Sequence, residues 1–380
     1  MFSCLPLCLL SLVPLAGAPM ALPVPDSQAD PAIVLRADQV IGPNLEVLEN
    51  AAVLIRKGRI LAVGPSVPQL KGAVEYRLAG VLAPAFVDAL SAEALVSQVR
   101  EGSRQSTPDL LAADMVDWRS EVSEAWLPHG VLNFHLSPEP SNVMAGWTAL
   151  AQVGEGTPAE RLLQPRGRQV FSLLADEWTG VGDEQLGPTT LAGALPLLDR
   201  ILSENPAGSQ GPVLCFVENE QGLAALQQHA QSRKWDVVWA ARGDVASYGG
   251  ALRGESVVLP ALTEGSWNLR TLETLRLLHR GECQIAFGTR DAYSGGDREA
   301  LRQSAMAFSR LTGDSKAALA AITTQAAKVA GLEQEIGRLA PGMRADLVLW
   351  SAHPLDASAK LVAVMQGGRT VYSASHGEDL

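Results

Sequence analysis

The sequence predicts an α/β protein in which a (β/α)8 TIM-like barrel carries a small β-sandwich built from both chain ends. Two observations lead to this prediction. Both ends of the 380-residue chain show strand and turn patterns, whereas the middle alternates short apolar strands with helical segments. Such alternation predicts a parallel sheet. The length of this middle region and its continuously apolar strands favour a closed barrel. An open doubly wound sheet is the alternative.

The composition is that of an acidic globular protein. Hydrophobic residues make up 47% of the chain and charged residues 19%, which allows a sizeable buried core. Acidic residues outnumber basic ones by 41 to 30, so the formal net charge is -11. Nucleic acid and anionic membrane both require basic protein surface. We therefore expect neither as a partner, and no membrane contact apart from the leader.

Residues 1–21 predict a signal peptide. No charged side chain precedes Asp26, and "SCLPLCLLSLVPLAGAPMA" contains an apolar core of secretory length followed by small residues. We therefore expect an exported protein, periplasmic or extracellular. An uncleaved anchor and a start of translation at Met20 are the alternatives, although Pro6 and Pro14 disfavour a spanning helix.

Residues 32–82 and 335–376 together predict the composite β-sandwich. In the first segment, "AVLIR" and "RILAVG" flank the pair Lys57-Gly58, which predicts a hairpin. In the second, "LVAVMQGGRTVY" predicts another hairpin about Gly367-Gly368. Strands from the two chain ends are therefore expected to form one domain.

Residues 83–334 predict the barrel. The strand candidates are "VLAPAFV", "GVLNFHL", "GPVLCFV", "WDVVWAA", "SVVLPAL" and "CQIAFGT". The helical candidates are "TTLAGALPLLDRILSEN", "NEQGLAALQQHAQSRK", "NLRTLETLRLLHRG", "DREALRQSAMAFSRL" and "SKAALAAITTQAAKVAGL". Apolar residues recur at helical spacing in the first of these helices, in which Pro196 predicts a kink.

Two motifs resemble the amidohydrolase superfamily, in particular its imidazolonepropionase-like branch. "GRLAPGMRADLVLW" is similar to the signature that follows the barrel in that family, with Pro341-Gly342 as the turn and Asp346 before the strand. "GVLNFHLSPEPSNVMAG" is similar to the strand and turn that the branch carries upstream. The resemblance implies a composite-domain hydrolase acting on non-peptide carbon–nitrogen bonds.

The resemblance also implies a metal centre at the C-terminal mouth of the barrel. Family members bind one or two divalent metals there, commonly zinc, which lower the pKa of a bound water and polarise the scissile carbonyl. The ligands are a His-x-His pair after the first strand, histidines after the fifth and sixth strands, and an aspartate after the eighth. Each of these positions can be located in this sequence.

The first-strand motif lacks both histidines. In "VLAPAFVDALSAEAL", the family aspartate is present as Asp88, but the two ligand positions hold Leu90 and Ala92. Residues i and i+2 of a strand point to the same side, which is why the family uses that spacing. Apolar side chains offer a metal no lone pair, so the sequence predicts that this half of the centre is missing.

The other ligand positions are changed as well. Register places Phe216 at the fifth-strand position and Arg242 at the sixth. At the eighth, Arg290 follows Gly-Thr, and Asp291 comes one residue late, which turns it to the other face of a strand. Gln152 is a further candidate, for the position of a lysine that many relatives carry. Arginine is always cationic and disfavours a metal cation, so we expect no metal cofactor.

A rebuilt site would depend on a few polar residues. His135 ends a predicted barrel strand, where catalytic residues lie, and is a candidate base with Asp291 or Glu218 as its partner. The simpler interpretation of His135 is a hydrogen-bonded structural histidine. The arginines and carboxylates of the mouth either form an anion pocket or neutralise one another in salt bridges.

The sequence therefore predicts an amidohydrolase-like pseudoenzyme with a binding or scaffold role. Its expected partners are a small anionic ligand or a homologous subunit. The alternative is an active hydrolase of carbon–nitrogen bonds in cyclic amide-type substrates, with an atypical mononuclear or metal-free site.

Overall fold

The structure is a computed structural model that describes residues 31–96, 101, 104–174, 188, 190–204, 211–263, 268–290 and 298–374. The predicted signal peptide lies outside these residues and stays a prediction. Within them, no helix has both the length and the apolar character needed to cross a membrane.

Strands and helices alternate through the middle of the chain, as the sequence predicts. The strands are β1 Ile33–Ile41, β2 Val47–Glu49, β3 Ala52–Arg56, β4 Arg59–Gly64, β5 Val74–Pro84, β6 Phe86–Ser91, β7 Val131–Leu136, β8 Met144–Trp147, β9 Ala149–Gln152, β10 Leu162–Gln164, β11 Gln169–Ser172, β12 Pro212–Val217, β13 Asp236–Ala241, β14 Ser256–Pro260, β15 Gln284–Gly288, β16 Leu347–Trp350, β17 Leu361–Gln366 and β18 Arg369–Ser373. The helices are α1 Ser120–Trp126, α2 Pro158–Arg161, α3 Leu191–Glu204, α4 Glu220–Arg233, α5 Val245–Tyr248, α6 Leu269–Arg280, α7 Ala300–Thr312, α8 Ser315–Ala320 and α9 Thr324–Ala330. Pro196 lies inside α3, which is one helix.

Strands from both chain ends form one sheet of eight strands, in the order β18-β17-β16-β5-β1-β3-β4 with β2 paired to β1. Both predicted hairpins are confirmed. The turn residues Lys57 and Gly58 have φ of 52° and 71°, and Gly367 and Gly368 have φ of 54° and 79°. Positive φ at both turn positions matches the right-handed twist of the flanking strands and favours glycine.

This end sheet curves back on itself. Arg59, the first residue of β4, pairs with Arg344, just before β16, and the N–H of Ile60 donates to the carbonyl of Met343 at 2.9 Å. Apolar residues of the curved sheet, such as Leu35 and Leu347, share one buried cluster. The predicted sandwich is therefore one curled sheet, with its core between the two arms.

The middle strands form two sheets, β10-β9-β7-β6 and β15-β14-β13-β12-β11-β8. β11 to β15 run parallel, and β6 runs parallel to β7. β8 and β9 run antiparallel to β11 and β7. The sheet predicted as parallel therefore includes two antiparallel strands over residues 144–152, a segment that was not among the strand candidates. Alternation of apolar side chains reports which face of a strand is buried, and carries no information on strand direction.

The two sheets meet along two edges and enclose a common core. β8 and β9 are consecutive, separated only by Thr148, and the N–H of Arg290 after β15 donates to the carbonyl of Leu90 in β6 at 3.0 Å. Alternate residues of both sheets fill the space between them. This inner cluster includes Val87, Ala89, Leu90, Ala145, Leu150, Val170, Leu214, Phe216, Val238, Ala240, Val258 and Ala286.

One predicted helix is divided into two. The segment "SKAALAAITTQAAKVAGL" forms α8 and α9, with a break at residues 321–323. At the break, the carbonyl of Ala321 accepts from the N–H of Phe287 at 3.1 Å, and that of Ile322 accepts from Val87 at 2.9 Å. The helix is interrupted there because these carbonyls bond β15 and β6 instead of continuing the helical ladder.

Candidate functional site

Four of the positions predicted to replace metal ligands lie together at the carboxyl ends of the inner strands. Leu90, Arg242 and Arg290 line one small cavity of about 10 Å³. The guanidinium carbon of Arg242 lies 4.8 Å from the ring centroid of Phe216. We call these four residues the strand-end cluster. A buried water needs about 10–15 Å³, so the cluster leaves room for one water at most.

Close approach of two strands seals the floor of the cluster. A Cβ on Gly288, the last residue of β15, would come within 2.5 Å of the carbonyl oxygen of Leu90. Glycine is therefore required at that position, because any side chain would force β15 away from β6. The Leu90 side chain is buried among the inner apolar residues.

The backbone around Arg242 is fixed by a buried tyrosine. The Arg242 N–H donates to the carbonyl of Val217 at 2.9 Å and contacts the Tyr248 hydroxyl at 3.0 Å. That hydroxyl lies 2.6 Å from the Arg242 carbonyl and 3.1 Å from that of Val217. Burial raises the pKa of Tyr248, so its hydroxyl stays neutral and ties the ends of β12 and β13 together.

Arg290 closes the cluster from the other side. Its guanidinium donates to the carbonyl of Ser137, directly after β7, and lies 3.7 Å from the carboxylate of Glu139. The Arg290 side chain is only 6% exposed. A buried guanidinium is stable when hydrogen bonds and an opposite charge accompany it. Arg290 therefore links the end of β15 to the loop after β7.

The side chains of the strand-end cluster do not fit a divalent metal. Zinc and related ions require imidazole, thiolate or carboxylate donors, and this cluster offers two hydrocarbon groups and two cations. No group of three or more His, Cys, Asp or Glu side chains suited to a metal occurs among the described residues. Ala92 does not line the cavity, because the chain turns after β6, where its carbonyl accepts from Leu95 at 3.0 Å.

Asp88, retained from the first-strand motif, is fully buried and faces β15. Its Oδ1 accepts from the N–H of Thr289 at 3.0 Å and of Leu90 at 3.2 Å, and its Oδ2 bonds the Thr289 hydroxyl. That hydroxyl lies 3.1 Å from the hydroxyl of Ser91. The carboxyl group therefore joins β6 to the residue that follows β15, and both its oxygens are engaged within the protein.

Burial dominates the titration of Asp88. Desolvation raises its pKa to about 7, against the hydrogen bonds from Thr289, Ser91 and Leu90, which lower it. Burial disfavours a charged carboxylate, whereas donors to its oxygens favour the charge. The carboxyl group thus holds its proton under mildly acidic conditions.

His135 is fully buried and both of its ring nitrogens have partners. Nδ1 lies 2.8 Å from the carbonyl oxygen of Ala89, and Nε2 lies 2.9 Å from the hydroxyl of Thr148. Because a carbonyl only accepts, Nδ1 carries the hydrogen and Nε2 accepts from Thr148. Burial lowers the pKa of His135 to about 4. The ring is neutral and structural, and it ties β7 to β6 and to the junction of β8 and β9.

Of the two carboxylates proposed as partners of His135, only Glu218 lies among the described residues. Glu218 follows β12 and is half-buried beside Gly243, where a Cβ would come within 3.2 Å of the Glu218 carbonyl oxygen. Neither nitrogen of His135 is directed at it, since both are bonded to Ala89 and Thr148. Asp291 lies outside the described residues.

Gln152 is not at the strand-end cluster, so its comparison with the family lysine is wrong. Its amide nitrogen donates to Asn133 at 2.8 Å and to the carboxylate of Asp346 at 2.7 Å. Arg344 donates to its amide oxygen at 2.9 Å. Because β9 runs antiparallel, its last residue lies at the end sheet, where Asp346 of the C-terminal signature also accepts from Gly367 at 2.8 Å.

Known structures share this architecture. An amidohydrolase from Thermotoga maritima superposes with a TM-score of 0.77 at 20% identity, covering 90% of this chain and 100% of the other. The chain has the amidohydrolase fold. Residues 251–375 also match the amidohydrolase family model, which includes the C-terminal signature noted in the sequence. No curated protein matches the chain by sequence.

Two structures of lower similarity match the chain over a similar length. A prolidase complexed with N-methylphosphonate-L-proline gives a TM-score of 0.58 at 16% identity, over 90% of this chain and 100% of that one. A Xaa-Pro dipeptidase with methionine bound in its active site gives 0.54 at 11% identity, over 90% and 100%. At such identities the likeness concerns the fold.

Several residues that hold this site together were not foreseen from the sequence. They are the partners of the predicted residues: Thr148, Thr289, Ser137, Glu139 and Tyr248. Residues that act through a single hydroxyl or carbonyl group are hard to recognise in a sequence, because their role depends on which strands are neighbours. Three of them lay within recognised motifs, Thr289 in the Gly-Thr pair before Arg290 and Ser137 and Glu139 in "GVLNFHLSPEPSNVMAG", but neither motif identified their partners.

Proposed function

We propose that this chain is an exported amidohydrolase-superfamily protein, with a (β/α)8-type barrel, that binds ligands or partners without metal-dependent catalysis. The observation that carries the proposal is the strand-end cluster, in which leucine, phenylalanine and two arginines stand where family members place metal ligands. The inner cluster shared by the two middle sheets supports the barrel. Function depends on the site rather than on the fold, and this site offers no metal donor.

The electrostatics of the cluster support the same proposal. Arg242 and Arg290 both line the small cavity, and a dication placed among guanidinium groups would be repelled strongly in a medium of low dielectric constant. Arg290 is bonded to Ser137 and approaches Glu139. The positive charge of Arg290 is therefore accommodated by the protein.

Metal content tests this proposal directly. The protein is expressed with added zinc or manganese, freed of any affinity tag, desalted and measured by plasma mass spectrometry. We expect less than about 0.1 metal per chain under conditions that saturate a family zinc site. A value near one or two per chain would overturn the proposal and would show that donors other than the strand-end cluster bind metal.

A matched variant separates the loss of the first-strand histidines from the rest of the cluster. Leu90→His combined with Ala92→His returns imidazole at both positions. We expect this variant to remain below about 0.1 metal per chain, because Phe216, Arg242 and Arg290 still occupy the other ligand positions. Stoichiometric metal in the variant alone would mean that only the first-strand pair had been limiting.

The alternative, a metal-free hydrolase of cyclic amides built on His135, has less support. A general base needs a lone pair directed at the proton it removes, and Nε2 of His135 is directed at Thr148 instead. A binding role with a small anionic ligand, or with a homologous subunit, agrees better with a strand-end cluster that holds two arginines, and with a neutral His135 whose ring nitrogens both have partners elsewhere.

A further inference from the structure

We propose that the groove between α6 and α7 binds an acidic amphipathic helix of a partner protein. We call it the helix groove. It has a volume of about 520 Å³ and is lined by side chains of these two helices. Both helices lie wholly within the described residues. The inference rests on the proposed function in one respect, since it names the kind of partner that a binding protein of this fold takes.

The floor of the helix groove is apolar, and the core does not use all of it. Leu272 of α6 and Met306, Ala307 and Leu311 of α7 line the groove. Ala307 and Leu311 contact the main buried cluster, whereas the partly exposed Leu272 and Met306 pack against no buried apolar cluster of the described residues. Leu269, one turn before Leu272, is 86% exposed. A row of apolar side chains left to solvent is typical of a contact surface.

The shape of the helix groove suits a helix. Its lining residues on α7 run from Gln303 to Leu311 at spacings of three and four, which is one helix face over about 12 Å. Those on α6, Leu272 and Arg276, lie one turn apart. A third helix packs its side-chain ridges into the groove between two neighbours. A helix bound in this way contributes apolar residues at i, i+3 or i+4, and i+7.

The rim of the helix groove is positive. Arg276 and Arg310 line it, are exposed, and have no hydrogen-bond or ion-pair partner among the described residues. Glu273, the acidic residue of α6, does not line the groove. Together, α6 and α7 contain five arginines and one glutamate, in a chain of net charge -11. Carboxylates placed beside the apolar stripe of a partner helix would complement this rim.

A second copy of this chain is disfavoured as the occupant. A two-fold dimer places the same surface of both subunits together, so Arg276 and Arg310 would face their own equivalents. Like charges that meet across an interface weaken it, and Glu273 is the sole acidic side chain that α6 and α7 offer in return. The charges therefore select a different partner with an acidic helix.

A synthetic helix tests the inference. The probe is an end-capped alanine-based peptide of about 18 residues, roughly five turns, with leucines along one face and glutamates on both sides of them. Its control peptide has lysine in place of each glutamate, which keeps the apolar stripe and the helix propensity. Fluorescence anisotropy of the labelled peptides measures binding to the full chain.

The two peptides should differ in affinity. We expect saturable binding of the glutamate peptide with a Kd below about 100 µM, and at least about tenfold weaker binding of the lysine peptide. The acidic chain as a whole attracts lysine. A preference for glutamate therefore reports the local charge of the rim.

Charge reversal locates the binding. Arg276→Glu combined with Arg310→Glu, the rim variant, should reverse the preference in favour of the lysine peptide, a result that misfolding cannot produce. Arg280→Glu combined with Lys316→Glu is the matched control. It changes the net charge equally, at exposed positions that do not line the helix groove, and should keep the preference for glutamate.

Loss of the apolar floor should weaken both peptides. Leu272→Gln combined with Met306→Gln replaces partly exposed side chains by another good helix former. We expect at least about tenfold weaker binding of the glutamate peptide, because two apolar contacts are lost. Unchanged affinity in this variant would contradict a contact through the floor.

Each outcome decides the inference. A preference for glutamate that reverses in the rim variant and persists in its control supports it. No saturable binding of the glutamate peptide up to about 1 mM, or a preference that the rim variant leaves unchanged, overturns it. Sedimentation velocity covers the rival occupant, because self-association that the rim variant abolishes would place a second copy in the groove. A metal-free chain without peptide binding contradicts only the helix groove, and a metal-loaded chain that binds the peptide contradicts only the proposed function.

Discussion

Replacement of the Asp88 carboxyl group by an amide should remove a pH dependence of folding. In the folded chain, burial raises the pKa of Asp88 to about 7 from an ordinary value of 3.8. The folded state therefore holds a proton between those values, while the unfolded chain releases it. Stability should consequently fall as pH rises through this window, because the unfolded state binds fewer protons.

The size of the effect follows from the two pKa values. Between pH 5 and pH 8, this carboxyl group should lower the free energy of unfolding by about 2.5 kcal/mol. Asp88→Asn carries no titrating group at this position. Its amide oxygen can still accept from the N–H groups of Leu90 and Thr289, and its amide nitrogen can donate to the Thr289 hydroxyl, which then donates to Ser91. The variant should therefore keep the link between β6 and β15.

The assay is urea unfolding of both proteins at pH 5, 6, 7 and 8, compared as a difference so that other titrating groups cancel. We expect the wild type to lose about 2.5 kcal/mol relative to Asp88→Asn across this range. Asp88→Ala, which leaves buried N–H groups without an acceptor, should be destabilised by about 2–4 kcal/mol at every pH. A difference between wild type and Asp88→Asn that does not change with pH would refute the reasoning, since it would mean that the carboxyl group is ionised throughout.

Two further predictions concern the neighbouring side chains. His135 should remain neutral with its hydrogen on Nδ1 at pH 5.5, because burial lowers its pKa to about 4. The contribution of the neutral ring to the free energy of unfolding is complete above the unfolded pKa of 6.5 and is lost as pH falls toward 4. Nitrogen-15 NMR of the ring checks this, and a ring that titrates near pH 6.5 would contradict it. Arg290→Met should lower the free energy of unfolding in urea by about 1–3 kcal/mol, because the buried Ser137 carbonyl loses a charged donor. The control is Arg280→Met, an exposed change at the end of α6 that should have little effect. Equal effects of the two changes would show that the Arg290 contact contributes nothing to stability.

Local signals in the sequence predicted the parts of the fold that depend on neighbouring residues. Both hairpins follow from a glycine at a turn position that requires positive φ, Gly58 in one and Gly368 in the other. Helix α6 begins at Leu269 because Asn268 caps it, and apolar spacing alone indicates its buried face. Such features are determined within a few residues, and a single sequence therefore contains them.

Features that depend on distant parts of the chain were not predictable in the same way. The reversal of β8 and β9 leaves the apolar alternation of that segment unchanged, so no local pattern reports that Gln152 lies at the end sheet. The break between α8 and α9 exists because Ala321 and Ile322 bond strands more than thirty residues and more than two hundred residues away.

Under the proposed function, the strand-end cluster explains how the amidohydrolase fold stays packed without a metal. Removal of a metal and its ligands alone would leave a polar void in the core, which costs free energy unless water or new side chains fill it. Here Leu90 and Phe216 extend the inner apolar cluster to the strand ends, and Arg290 spans the opening to bond Ser137. The space that remains is about 10 Å³. The central position is therefore filled by side chains of the protein itself.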